Sequence, residues 1–179
     1  MPERIHQLRF GEDFRPSVPK DVTPEGFTGF ESDQGEKLGR FVREVPDTVC
    51  IRSPRDAAQY LLEKVYTPFD DFDQEELWVL LLNNKNRITH EVMVYRGQVD
   101  TITIREAELL KEAVRVNAPA LILSHCHPSG DPTPSPEDVN MTRMIYKAAK
   151  LLGLTLVDHL IVGKDSWVSL QERQLGFDE

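Results

Sequence analysis

The sequence predicts an α/β or α+β domain, a β-sheet with helices packed on it. Three observations carry that expectation. Beyond Pro46, segments of helical and strand period follow in the order helix, strands, helix, strand, helix, strands. The helices open on N-cap signatures, and the apolar runs of strand length end at turn-forming residues. With 179 residues, 40% of them hydrophobic and 28% charged, the chain can bury one sizeable core.

Residues 1–45 read differently. Gly11, Pro16, Pro19, Pro24, Gly26, Gly29 and Gly35 interrupt every run long enough to set up a period, so this stretch is expected to be an irregular or partly ordered arm. A short amphipathic helix over 36–44 would place Leu38, Phe41 and Val42 on one face. Residues 46–179 form the domain. There, Ser53, Pro54 and Asp56 supply an N-cap, a first-turn proline and a capping-box acid for a helix over 54–66, with Ala58, Leu61, Leu62 and Val65 on its apolar stripe. LWVLLLN, 77–83, is a continuous apolar run and reads as a strand buried on both faces; ITHEVMVY, 88–95, is the next strand. Thr103 and Glu106 suggest a second capping box, opening a helix to about Asn117 with Ala107, Leu110, Ala113 and Val114 inward. ALILSH, 120–125, is a third strand. A later helix carries Met141, Met144, Ile145, Ala148 and Leu152 on one face and stops at Gly153. LTLVDHLIV and WVSL, joined through Gly163, Lys164 and Asp165, complete a hairpin.

Composition narrows the function. No apolar stretch is long enough for a membrane span, and MPERIHQLRF lacks the hydrophobic region of a signal peptide, so a cytoplasmic protein is expected. Cys50 and Cys126 belong to no recurring framework and read as free thiols. A net charge of −9 opposes the field that binding a phosphate backbone requires. Neither a specific nucleic-acid partner nor a membrane is expected.

HCHPSGDPTPSPED, 125–138, concentrates the chemistry. If the strand of Leu121–Leu123 runs on through His127, its two-residue period aims His125 and His127 at one side of the sheet, about 7 Å apart along the chain. Asp138 falls in the first turn of the following helix, where a Pro- and Gly-rich loop can return its carboxylate to the same ion. Two imidazoles and one carboxylate leave a fourth tetrahedral position for water, the pattern of catalytic zinc. Simpler explanations exist: HxH is short enough to arise by chance, and Ser135, Pro136 and Asp138 also spell an N-cap, a first-turn proline and a capping-box acid. What favours a site is the joint placement of strand, stiff loop and helix start.

The same stretch resembles the HxHPSGDPxPSxxD signature of the RadC family, a bacterial branch of the JAMM, or MPN/JAB-type, zinc metallopeptidase superfamily. The resemblance extends over roughly residues 53–172, through EELWVLLLNNKN, REAELLKEAVRVNAPALILSH and LLGLTLVDHLIVG. It implies an MPN/JAB-like mixed sheet, a Zn2+ held by His125, His127 and Asp138, and Ser135 placed to bond the oxygen that turns negative as water attacks an amide carbonyl. It also implies a general-base glutamate at the start of a strand that precedes the HxH. The RadC pattern selects Glu75; alignment on the turn after the apolar run selects Glu76, and Glu75 is adopted. Apart from that resemblance, both glutamates read as a solvated continuation of DDFDQEE. RadC proteins commonly carry an N-terminal helix-hairpin-helix module, for which 1–45 is too short, too broken and too acidic, so no DNA-repair role is carried over. Cys126 stands where Asn is usual and should point away from the metal side.

Asp158 and His159 match the family's Asp-His pair; inside an apolar strand they are expected to be a hydrogen-bonded pair that stabilises the fold or orients a ligand. Asp131 reads as a loop cap and His90 as a surface or interface histidine. The expected function is hydrolysis of a peptide or isopeptide bond in a protein substrate, possibly a ubiquitin-like conjugate. The alternatives are a noncatalytic MPN-like protein-binding module and, weaker, a DNA-repair-associated accessory protein.

Overall fold

The computed structural model describes residues 28–31, 37–46, 49–97 and 105–178. Its centre is a mixed sheet of strands β1 (Thr28–Glu31), β2 (Lys37–Glu44), β3 (Glu75–Leu82), β4 (Ile88–Gly97), β5 (Ala120–Cys126), β6 (Thr155–Val162) and β7 (Trp167–Ser169). They lie in the order β1-β2-β4-β3-β5-β6-β7, and every adjacent pair is antiparallel except β5 with β6. Helix α1 (Pro54–Tyr60) covers one face; α2 (Glu106–Arg115) and α3 (Pro136–Leu151) cover the other. The predicted α+β sheet with packed helices is therefore present.

Alternation along β3 explains its unbroken apolar run. Trp78, Leu80 and Leu82 pack with Ala57, Ala58 and Leu61 on the α1 side, while Leu77, Val79 and Leu81 pack with Leu109, Leu110, Ile145 and Ala149 on the α2/α3 side. Both faces are covered from Leu77 to Leu82, so neither parity of that run is polar. The α1 helix starts on the expected capping box: Ser53 Oγ accepts from the Asp56 amide at 3.3 Å, and Asp56 Oδ2 accepts from the Ser53 and Arg52 amides at 3.0 and 2.8 Å. It continues as a π-helical turn over Leu61–Val65.

Three expectations need correction. Residues 37–44 are strand β2, paired with β4, rather than the helix over 36–44. Phe41 and Val42 consequently part company: Phe41 meets Trp78 edge-on at 6.1 Å on the α1 side, and Val42 joins the opposite core. The sheet thus reaches back across Pro46. Here long-range pairing overrides a weak local periodicity. A buried carboxylate, Glu91, fastens this strand by accepting from Arg43 Nε at 2.8 Å and from the Tyr60 hydroxyl.

The second correction concerns α2, whose N-cap is Arg105 without a side-chain cap; Thr103 lies outside the described residues. Leu109, Leu110 and Ala113 are buried and Val114 is exposed, so the inward stripe is rotated from the predicted one. The third concerns α3. Its buried positions are Asp138, Thr142, Ile145 and Ala149, at i, i+4, i+7 and i+11, while Met144 and Leu152 are exposed. Two of the four inward residues are polar, because this helix faces a polar site instead of a purely apolar core.

Candidate metal centre

Strand β5 delivers the first two donors. His125 pairs with Leu77 of β3 and Ile161 of β6, and it shares the α2/α3 side with Leu121 and Leu123. Cys126 falls on the α1 side, as expected: it is a free thiol, wholly buried, and burial pushes its pKa up to about 12. The regular strand stops at Cys126, yet the His127 amide donates to Val162 O at 2.9 Å, carrying the pairing one residue further. His127 therefore returns to the His125 side. The two Nε2 atoms stand 3.0 Å apart. His127 Nδ1 donates to the backbone carbonyl of Asp131 at 2.8 Å, which leaves Nε2 as its lone-pair nitrogen.

The third donor comes from α3. Asp138 Oδ1 lies 3.1 Å from His125 Nε2, and Oδ2 lies 3.7 Å from His127 Nε2. Donors at about 2.0 to 2.2 Å from a tetrahedral ion are separated by about 3.3 to 3.6 Å, and the three spacings of 3.0, 3.1 and 3.7 Å bracket that range, so small side-chain shifts bring these donors onto one shared ion. All three donor atoms lie within 4.8 Å of one another. The His125 and Asp138 side chains are 0% and 4% exposed and that of His127 is 16%, so the centre opens to solvent on the His127 side.

Asp138 caps its own helix as well. Ser135 Oγ accepts from the Asp138 amide at 3.1 Å, while Asp138 Oδ2 accepts from the Ser135 amide and hydroxyl, both at 2.8 Å. Both explanations of the Ser-Pro-Glu-Asp stretch are therefore true at once. Oδ2 is held by the cap and Oδ1 is turned to His125. Burial pushes the Asp138 carboxyl up, but its bonds to His125 and Ser135 outweigh that and hold it well below the usual carboxylate range.

Behind His125 lies a contact absent from the sequence expectations. His159 Nε2 is 2.9 Å from His125 Nδ1, and His159 Nδ1 is 2.6 Å from Thr142 Oγ1. Burial drives the His159 pKa well down. The signals were a histidine inside an apolar strand and a threonine one helical turn after Asp138. Asp158 serves the closing hairpin instead. Its side chain points to the α1 side, opposite the His159 ring, so the expected hydrogen-bonded pair is made through the His159 amide and not between the two side chains. Its Oδ1 accepts from the His159 and Gln171 amides at 2.7 and 3.2 Å, and Oδ2 from Ser169 Oγ at 2.7 Å, which pins the end of that hairpin.

The two glutamates separate by strand parity. Glu75 is two residues before Leu77, the partner of His125, so it lies on the metal side at the open end of β3. Glu76 lies on the other face, 7% exposed, where Oε2 accepts from Trp78 Nε1 at 2.8 Å and Oε1 is 3.6 Å from Arg96 Nε. Asp131 is the loop cap expected, Oδ1 accepting from the Thr133 amide and hydroxyl at 2.9 and 2.6 Å. His90 is half-buried on β4 beside Thr89, away from the centre.

The loop bearing His127 is pressed against the β6–β7 turn. A Cβ on Gly163 would stand 2.2 Å from the Gly130 carbonyl oxygen and 3.0 Å from Pro132. Gly163→Ala must move that backbone, and with it the His127–Asp131 hydrogen bond. Affinity for a divalent metal at this centre is expected to fall roughly tenfold or more, read by competition with a chromophoric chelator. Unchanged affinity would show that the loop shifts without dragging His127.

Comparison with known proteins agrees with this geometry. A family model described as the RadC-like JAB domain matches residues 51–175. A UPF0758 protein of Chloroflexus aurantiacus is 44% identical over 144 residues, covering 80% of this chain and 60% of the relative. One from a Roseiflexus species is 46% identical over 127 residues, 71% of this chain and 53% of the relative. One from Clostridium beijerinckii is 38% identical over 139 residues, 78% and 59%. This chain thus spans between about half and three-fifths of the length of these curated relatives.

Proposed function

Because the chain belongs to the RadC-like JAB domain family, we propose that it is a zinc-dependent hydrolase of amide bonds in proteins or peptides, including isopeptide links to ubiquitin-like modifiers. The observation that supports this most is the donor set of His125, His127 and Asp138, spaced for one tetrahedral ion and open on a single side. Zinc held by these residues would supply Lewis acidity and bring the pKa of a water molecule toward neutrality. Glu75, on the metal side of β3, takes the proton from the attacking water and returns it to the leaving amine.

Ser135 donates to the carbonyl oxygen as that oxygen gains charge. Its hydroxyl is engaged beforehand with Asp138 Oδ2 and must rotate off it. The Ser135 amide keeps its own 2.8 Å bond to the same oxygen, so Asp138 stays oriented while the hydroxyl moves. Ser135→Ala is expected to slow turnover roughly 10²-fold and to cost about 1 kcal/mol of stability through the lost cap. Rate and melting temperature of the zinc-loaded protein check both at once. A loss of stability with full turnover would restrict Ser135 to capping.

The net charge of −9 favours a protein substrate over a phosphate backbone. Among the described residues no helix is long and apolar enough to cross a membrane. The test of the proposal is chelator-sensitive, zinc-restorable cleavage of peptide and isopeptide substrates. A protein that binds zinc stoichiometrically and cleaves neither kind would be a noncatalytic binding module.

A further inference from the structure

We infer that His159 and Thr142 are positioning residues for the metal ligand His125, through a chain of hydrogen bonds that admits one arrangement of protons. This rests on the reading of His125, His127 and Asp138 as a zinc centre. For His125 to offer its Nε2 lone pair, its ring proton must sit on Nδ1, which donates to His159 Nε2 at 2.9 Å. His159 Nε2 is then the acceptor, so its proton is on Nδ1 and goes to Thr142 Oγ1 at 2.6 Å. Thr142 in turn gives its hydroxyl proton to the backbone carbonyl of Asp138 at 2.6 Å. Each atom in the chain has one role. The chain begins and ends on metal ligands, His125 at the end of β5 and Asp138 in the first turn of α3.

The groups that close this chain are sealed from water. His125, His159 and Thr142 are all 0% exposed, so no solvent molecule can replace a missing partner. If the Thr142 oxygen is removed, the His159 Nδ1 proton has no acceptor among these groups. The tautomer that relieves it places a proton on Nε2, against the proton of His125 Nδ1. His125 must then turn or change tautomer, and in either case its grip on the ion weakens. Such partners behind a metal-bound imidazole typically change metal affinity by roughly 10- to 100-fold.

Thr142→Val keeps the side-chain shape and removes the hydroxyl; Thr142→Ser keeps the hydroxyl and removes the methyl. Zinc dissociation constants measured by chelator competition should rise roughly 10- to 100-fold for Thr142→Val and stay within about threefold of wild type for Thr142→Ser. A purely packing role would move melting temperature of the metal-free protein in both variants without separating their affinities. His159→Gln, which offers an acceptor to His125 and a donor to Thr142, should retain more affinity than His159→Leu. Equal zinc affinity for the Val and Ser variants, with wild type binding normally, overturns the inference and leaves the zinc centre standing. Failure of wild type to bind zinc removes both. If the His159 variants do not fold, the Thr142 pair decides alone.

Discussion

Glu75→Gln is expected to retain a full equivalent of zinc and the wild-type melting temperature while amide hydrolysis falls by about 10² to 10⁴. Glutamine has the size of glutamate and cannot take a proton from water. In the proposed site Glu75 would donate nothing to the ion, since the candidate donors found among the described residues come from β5, the residue after it and α3. The matching control is its neighbour. Glu76 lies across the sheet, holding the Trp78 indole, so Glu76→Gln keeps an acceptor for that N–H and should leave turnover within a few-fold of wild type. Steady-state rates at matched zinc occupancy decide the assignment. If Glu76→Gln is the slow enzyme, the strand has slipped one residue in the working state; if both remain fast, metal-assisted hydrolysis with a glutamate base is the wrong mechanism.

Removing the ion should be felt by the fold as well as by the chemistry. Its ligands join the end of the central strand β5 to the start of α3, so binding stabilises their contact. At free zinc 1,000 times the dissociation constant the stabilisation is about 4 kcal/mol, or about 10 °C in melting temperature for a chain of this size. A strong chelator should abolish that increment together with all turnover. His127→Ala is the cleanest ligand deletion, because His127 is the most exposed of the three. It should abolish stoichiometric zinc, as should His125→Ala and Asp138→Ala. Asp131→Ala should keep zinc, since the contact to His127 is made by the Asp131 backbone carbonyl. Equal loss at all four positions would mean that loop order, not ligation, is being measured. In the metal-free protein, the depressed pKa of Asp138 makes its contribution to stability complete above the ordinary carboxylate range and lost as pH falls through and below it.

Much of this was legible in the amino-acid order because it depends on neighbours in the chain. The capping boxes at Ser53 and Ser135 involve atoms three residues apart, and both form as read. The apolar run of β3 required two covered faces, and strand parity placed His125 and Cys126 on opposite sides. Parity likewise implied that Glu75 and Glu76 face apart, without saying which of them faced the histidines.

Tertiary structure decided what depends on a distant partner. Register between β3 and β5, with Leu77 opposite His125, put Glu75 on the metal side. Pairing with β4 made residues 37–44 a strand, although their local spacing also suits a helix. On α3 the polar residues Asp138 and Thr142 face inward because buried histidines satisfy them there, so a search for an apolar stripe found Met141, Ile145 and Ala148 but was drawn past the polar positions to the exposed Met144 and Leu152. An irregularity in β6 beside Val157 sets Leu156 and Asp158 on different sides of the sheet, and strict alternation along LTLVDHLIV conceals it. Propensity and period describe a residue's own segment. The bond from His125 to His159 spans 34 residues and exists only because two parallel strands place both rings behind one helix start.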